Sequence, residues 1–252
     1  MNAIPRIIHQ TWRDSDVPPY LRRFQASWRE HHPAWQYRLW TDEANRRLIE
    51  EHYPEFLPVY DAYPLPIQRA DAARYFMLHR YGGLYVDLDF ECLRPLESML
   101  AGRSCVFGAE PRAHALAHGL SLIVGNALMT STPGHRIWRD VQAALVRHRN
   151  AQAWGRLDAL RSTGPLMLTD VVQRYGTDEV TLYPPDVFYP QLDAVNSDAF
   201  SSSAEQSRYQ EKMRQGLATP DSYAVHHWAG TWTTSREVKQ TLIEEVAGQR
   251  QK

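Results

Sequence analysis

The chain is poor in cysteine. Among 252 residues only Cys92 and Cys105 carry a thiol. They permit at most one pairing, build no disulfide framework, and fit reduced thiols in a cytosolic setting. Long apolar runs are missing too. Nothing approaches the roughly 18 consecutive apolar residues of a membrane span, so no transmembrane segment is expected. Pro5, Arg6 and His9 interrupt the apolar region that a signal peptide would need. Net charge is nearly absent, at -1 from 28 basic and 29 acidic residues. With no basic tract, there is no field to gather nucleic acid or an anionic bilayer. Two phosphate-binding patterns are absent as well: there is no Gly-x-Gly-x-x-Gly and no Gly-x-x-x-x-Gly-Lys. A phosphate bound here would need a cation in place of a glycine cradle.

What is present describes an ordinary core. Hydrophobic residues make up 43% and charged residues 23%, which suits one α/β domain over residues 1–252. Residues 4–10 read as a buried first strand, ending near Trp12. Pro18 and Pro19 precede a helix over about 20–31 with Leu21, Phe24 and Trp28 as its apolar stripe. Alternation of Trp35, Tyr37 and Leu39 predicts a second strand over 35–40. Thr41 is a candidate N-cap for a helix over 42–53, with Asp42 and Glu43 at its positive end. This βαβα opening predicts a parallel, doubly wound sheet, whose ligands bind at the carboxyl ends of its strands. Further strands are expected at 105–107, 122–129, 180–183 and 222–225. Helices are expected after Pro133-Gly134-His135, from Pro165 to about residue 175, and over 236–248. Residues 109–119 and 184–190 read as loops, and 197–215 as a polar stretch. His114 and His118, at i, i+4, have no evident third partner for a metal.

Residues 69–90 carry the chemistry. Residues 67–80 hold good helix formers with no glycine or proline. Gly82 and Gly83 close the helix, and Leu84, Tyr85 and Val86 form a short buried strand. Asp87-Leu88-Asp89 follows. On a regular strand the two aspartates would share a face. Two carboxylates that close repel unless a cation or donors lie between them, and their hard oxygens suit Mn²⁺ or Mg²⁺. Asp71 and Arg74 sit at i, i+3 on one helix face. With the helix beside the strand, both would point into the cleft of the Asp pair, where Arg74 would meet phosphate or sugar oxygens.

The pattern Arg-x-Asp-x-x-Arg (Arg69 to Arg74) followed by Tyr-Gly-Gly-Leu-Tyr-Val-Asp-Leu-Asp (Tyr81 to Asp89) resembles the DXD region of glycosyltransferase family 32. The opening Ile-Pro-Arg-Ile-Ile-His-Gln-Thr-Trp (Ile4 to Trp12) and the closing His-His-Trp-Ala-Gly-Thr-Trp (His226 to Trp232) resemble the same family. The three blocks span nearly the whole chain in the expected order. The resemblance implies an α/β GT-A glycosyltransferase fold: a Rossmann-like nucleotide-binding sheet with helices on both faces. It implies transfer of a sugar from a nucleotide-sugar donor, GDP- or UDP-linked, to a hydroxyl of a glycan or glycolipid, with retention of anomeric configuration.

The same resemblance implies a set of roles. Gln10, Trp12, Gly83 and Trp232 would meet the donor, with Trp12 stacked on the base and Trp232 closing over the diphosphate. Asp87, Asp89 and His226 would hold the metal, with His226 preferred to His227, and Asp87 would also reach the ribose. Asp71 and Arg74 would orient the donor, and Asn126 would place the sugar. Asn126 cannot ionise, so it is read as a hydrogen-bond donor. Thr163-Gly164-Pro165 resembles the family's Thr-Gly-Pro, its glycine allowing donor or acceptor to come close. A bacterial cytoplasmic enzyme, peripheral at most to a membrane, is expected. Two other readings stay open: a glycosylating effector acting on a protein, and a catalytically silent nucleotide-sugar binding module. A metallonuclease is disfavoured by the charge balance.

Overall fold

The structure is a computed structural model that describes residues 3–148, 156–191 and 219–230. The chain opens with strand β1 (Ile7–Thr11). Helix α1 (Pro19–His31) starts on a proline, whose fixed φ suits a first turn, and buries Leu21, Phe24 and Trp28. Strand β2 (Gln36–Trp40) returns parallel to β1, with Ile7 opposite Gln36. Thr41 caps α2 (Asp42–His52), its side chain accepting from the Ala44 N–H. A short turn and α3 (Leu57–Asp61) lead to α4 (Pro66–Tyr81), buried on nearly every side.

Gly82 ends α4 at φ 62°, its N–H bonded to the Leu78 carbonyl. Strand β3 (Gly83–Val86) follows at once and is wholly buried. Strand β4 (Phe90–Cys92), α5 (Glu97–Leu100), β5 (Cys105–Ala109) and α6 (Arg112–Ala117) come next. Strand β6 (Val124–Ser131) leads to α7 (Ile137–His148). Helices α8 (Arg156–Ser162) and α9 (Pro165–Val172), strand β7 (Thr181–Tyr183), α10 (Pro185–Phe188) and β8 (Ala224–His226) complete the described elements.

Six strands form one sheet in the order β2-β1-β3-β6-β5-β7, and β4 pairs with β8 in a separate ribbon. The sheet is not all parallel as expected. β6 runs antiparallel to both β3 and β5, whereas β1, β2, β3, β5 and β7 share one direction. Residues 110–123 return the chain along the β5 edge with only the short α6, so β6 comes back reversed; a parallel neighbour would need a crossover.

Successive side chains face opposite layers. Tyr85, Phe107 and Met129 join one core with Phe76, Met77 and Trp138, under α2, α4, α7 and α9. Leu84, Val86, Val106 and Leu128 join the other, with Trp28, Phe90 and Phe188. Each fully buried side chain of this size is worth roughly 1.5–3 kcal/mol. Both cysteines are free and buried. The segments read as loops at 109–119 and 184–190 each contain a short helix, α6 and α10. The helix expected over 236–248 and the polar stretch 197–215 lie outside the described residues.

Candidate active site

Strand direction gathers the site. The carboxyl ends of β1, β3 and β5 and the amino end of β6 meet on one edge. There β3 stops at Val86, and Asp87-Leu88-Asp89 forms a turn closed by the Phe90 N–H on the Asp87 carbonyl at 3.1 Å. The Asp87 N–H bonds the Ala127 carbonyl at 2.8 Å. The two aspartates are therefore joined by a turn, in place of the shared face of a regular strand that was expected. Leu88, between them, is buried against Val17, Leu21 and Phe24 and anchors the turn.

The ribbon supplies the third ligand candidate. Pairing of β4 with β8 sets Phe90 opposite His226. The His226 ring stacks on Phe90 at 4.6 Å, and its Nε2 lies 3.1 Å from Asp89 Oδ1. The Ala229 N–H donates to Asp89 Oδ2 at 2.9 Å. His227, one residue on, faces the other way, stacked on Phe24 and 2.9 Å from Glu91. Asp87, Asp89 and His226 each offer a ligand atom, all within 4.8 Å of one another; no other such group of three occurs among the described residues. His114 pairs instead with Glu110 at 3.0 Å.

Arg74 is the buried cation of the site, with 3% of its side chain exposed. Its guanidinium lies 2.9 Å from Asp71 Oδ1 and 3.3 Å from Asp87 Oδ1, and donates to the Asn126 carbonyl at 2.9 Å. It lies 4.6 Å from the Tyr85 ring centroid. Tyr85 donates its hydroxyl to Asp87 Oδ1 at 2.6 Å. Asp71 accepts further hydrogen bonds from Asn126 Nδ2 and Thr163 Oγ1, both at 3.0 Å.

These environments split the carboxylates. Burial pushes Asp71 up to about 6, although the Arg74 charge opposes it. Burial also raises Asp87, with Asp89 adding to the rise and Arg74 resisting it. Burial alone would raise Asp89, but His226 and the Ala229 N–H outweigh it and hold Asp89 low. His226 is raised in turn: burial would lower it, and the Asp89 charge prevails. Asp71 and Asp87 thus share the Arg74 guanidinium while Asp89 faces His226, a cluster of carboxylate oxygens that a divalent cation would suit.

The structure brings Asp71, Arg74, Asp87, Asp89, Asn126 and His226 together. Gln10 joins from behind: its Nε2 donates to the Asp87 carbonyl at 3.3 Å, and its Oε1 accepts from Tyr37 at 2.8 Å. Trp12 packs beside the Leu88 cluster, its Nε1 enclosed without a partner. Gly83 stands apart, at the opposite end of β3 from Asp87. A Cβ there would lie 2.6 Å from the Ile7 carbonyl oxygen, so its missing side chain serves the β1–β3 contact. Trp232 lies outside the described residues. Tyr85 and Thr163 were not among the expected site residues. Tyr85 had a signal, since it precedes Asp87 by two positions on a strand end. Thr163 stood in the Thr-Gly-Pro triplet noted above, but nothing in the sequence tied its hydroxyl to Asp71, 92 residues away.

Comparison with known proteins gives a consistent picture. Residues 18–106 match the model of a family described as glycosyltransferase sugar-binding region containing DXD motif. The chain is 37% identical over 190 residues to inositol phosphoceramide mannosyltransferase 2 of Schizosaccharomyces pombe, covering 75% of this chain and 51% of that protein. It is 35% identical over 229 residues to inositol phosphoceramide mannosyltransferase 3 of the same yeast, covering 90% and 60%. The chain therefore spans little more than half the length of these curated relatives. A solved glycosyltransferase involved in glycosylation of the major capsid of PBCV-1 superposes with a TM-score of 0.51 at 11% identity, covering 95% of this chain and 98% of that one. Mouse xyloside xylosyltransferase 1 superposes with a TM-score of 0.51 at 11% identity, covering 90% and 98%.

Proposed function

The chain belongs to the family-32 type of DXD glycosyltransferases and has their GT-A fold, and from that premise we propose that it moves a sugar from a nucleotide-sugar to a hydroxyl of a glycan or glycolipid. The observation that carries this reading is the Asp87–Asp89–His226 cluster at the carboxyl edge of the sheet, beside the buried Arg74. Two carboxylates and one imidazole suit Mn²⁺ or Mg²⁺. His226 turns its Nε2 toward Asp89, the side on which such an ion would lie. Bound there, the ion would supply Lewis-acid charge against a departing diphosphate.

The chain's own residues do the rest. Arg74 is locked by Asp71, Asp87 and the Asn126 carbonyl, and delivers a fixed positive charge where negative charge develops. Tyr85 and Gln10 hold Asp87 from two sides. Asp71 and Asn126 serve the sugar, and Trp12 the base. As the bond from the anomeric carbon to the diphosphate breaks, its electron pair leaves with the phosphate. The acceptor oxygen bonds that carbon, and its proton passes to the departing phosphate oxygen. Attack from the same face retains configuration and needs no protein nucleophile. The donor to test first is a mannosyl nucleotide with an inositol phosphoceramide acceptor, because the relatives above are named for that pair. Those relatives are from a yeast, which gives no support to the bacterial setting expected from the sequence. No helix among the described residues is long and apolar enough to cross a membrane, and a peripheral position at a lipid surface suits such an acceptor.

The test is release of nucleoside diphosphate and formation of glycosylated product, read by mass spectrometry across GDP- and UDP-hexoses with Mn²⁺ or chelator. Turnover should require metal and should fall at least 100-fold in Asp89→Asn. Parent turnover undiminished by chelator, or equal turnover in the parent and Asp89→Asn with Mn²⁺ present, would sink the proposal.

A further inference from the structure

Helix α4 carries a buried polar stripe besides Arg74. Gln68, Asp71 and Tyr75 recur at i, i+3 and i+7, on one face. All three reach the junction between α8 and α9. Gln68 Nε2 donates to Ser162 Oγ at 2.8 Å, and the Tyr75 hydroxyl donates to the Thr163 carbonyl at 2.7 Å. Thr163 Oγ1 donates to Asp71 Oδ2 at 3.0 Å. Gln68, Asp71, Tyr75, Ser162 and Thr163 are all buried. The junction is rigid. The N–H groups of Thr163 and Gly164 both bond the Ala159 carbonyl, at 3.1 and 2.8 Å. A Cβ on Gly164 would lie 2.9 Å from Leu160 Cα, so this glycine serves the turn.

The two oxygens of Asp71 are filled unequally. Oδ1 takes two donors, Arg74 and Asn126. Oδ2 takes Thr163 alone among the described residues, which leaves one lone-pair direction open. The Thr163 hydroxyl has a single proton and two acceptors in reach, Asp71 Oδ2 at 3.0 Å and the Ala159 carbonyl at 3.2 Å. A charged acceptor makes the stronger bond. Resting on the glycosyl-transfer reading above, we propose that Thr163 is a positioning residue: its hydroxyl fixes the Asp71 carboxylate so that the open direction of Oδ2 meets a hydroxyl of the donor sugar. The α8–α9 junction thereby helps to set which sugar is turned over, from outside the DXD block.

The test compares Thr163→Val and Thr163→Ser in metal-dependent donor hydrolysis. Thr163→Val should lower kcat for the preferred donor about tenfold or more while the affinity for Mn²⁺ with nucleoside diphosphate stays within twofold. The preference for that sugar over its epimers should shrink by a similar factor. Thr163→Ser, which keeps the hydroxyl, should stay within about threefold of the parent. In an Asp71→Asn background, Thr163→Val should add nothing. If the valine variant does not fold, Thr163→Ala poses the same question without the isosteric methyls. Thr163→Val matching the parent in kcat and sugar preference would overturn the inference and leave the transferase reading intact. So would equal losses in kcat and nucleotide affinity, which mark a purely structural role. A parent chain that turns over no nucleotide-sugar would overturn both.

Discussion

Removing the guanidinium of Arg74 tests whether one buried cation supports both fold and site. Arg74 stands between Asp71 and Asp87, at 2.9 and 3.3 Å, with 3% of its side chain exposed. At an effective dielectric near 20, each contact at about 4 Å is worth about 4 kcal/mol before desolvation is counted. Truncating one partner of a buried pair costs about 3–5 kcal/mol, because the remaining charge is stranded. Arg74→Met should therefore lose about 4 kcal/mol, or on the order of 10 °C in Tm for a chain this long. The loss should depend on pH. Burial already raises Asp71 to about 6 against Arg74's pull. A carboxylate raised in the folded state contributes most below its unfolded value, near 4, and that contribution is lost as pH rises through the folded one. Without Arg74 the folded value climbs further, so the gap between parent and variant should widen from pH 5 to pH 8. Asp71→Asn added to Arg74→Met should recover part of the stability and none of the activity. Urea unfolding at the two pH values measures this. A gap that is small, or the same at both, would refute the stranded-charge account.

Two further outcomes follow from buried histidines. His9 is enclosed, with Nε2 at 3.0 Å from the Gly82 carbonyl and Nδ1 accepting from Trp40 Nε1 at 3.0 Å, and burial lowers it to about 4. A depressed histidine leaves the unfolded chain holding the extra proton, so stability is present above pH 6.5 and is lost as pH falls toward 4. The parent's advantage over His9→Gln should shrink by about 2 kcal/mol between pH 7.5 and pH 5; a constant advantage in urea titrations would contradict it. His226→Ala should abolish the rise in Tm given by Mn²⁺ with nucleoside diphosphate, because ligand binding stabilises only the folded state. His227→Ala should keep that rise, and the reverse result would reassign the ligand.

Much of this was legible because its signals are local. Thr41 does cap α2, and α4 spans Pro66–Tyr81 where 67–80 was expected. Strand periodicity separates His226 from His227, since neighbours on β8 face opposite ways. What was not legible depends on partners far along the chain. Gly83 sits in the Gly-Gly pair that closes α4, yet what forbids its side chain is Ile7 on the neighbouring strand. The reversal of β6 is set by how residues 110–123 return, which no period in the sequence reports. Asn126 was placed near the sugar, but its backbone carbonyl also holds Arg74, and main-chain groups leave no mark in side-chain identity.

The site carries its own departures from ideal folding. Arg74 Nε, Trp12 Nε1 and His226 Nδ1 are among the buried polar atoms without partners, although such atoms are costly to enclose. Trp228, directly after β8, is the non-glycine residue with positive φ among the described residues, at 50°. Its ring packs 4.0 Å from His226, and the next N–H reaches Asp89. Backbone strain persists where its surroundings over-determine it, and it clusters at functional sites. A fold selected only for stability would replace Asp71, Arg74 and Asp87 with apolar side chains, since a buried ion network is often no better than good packing. The chain instead keeps Asp71 and Asp87 on one guanidinium and turns the backbone at Trp228 beside the contact that holds Asp89. That cost is understandable if a cation and a charged ligand bind at this site, because their binding then offsets it.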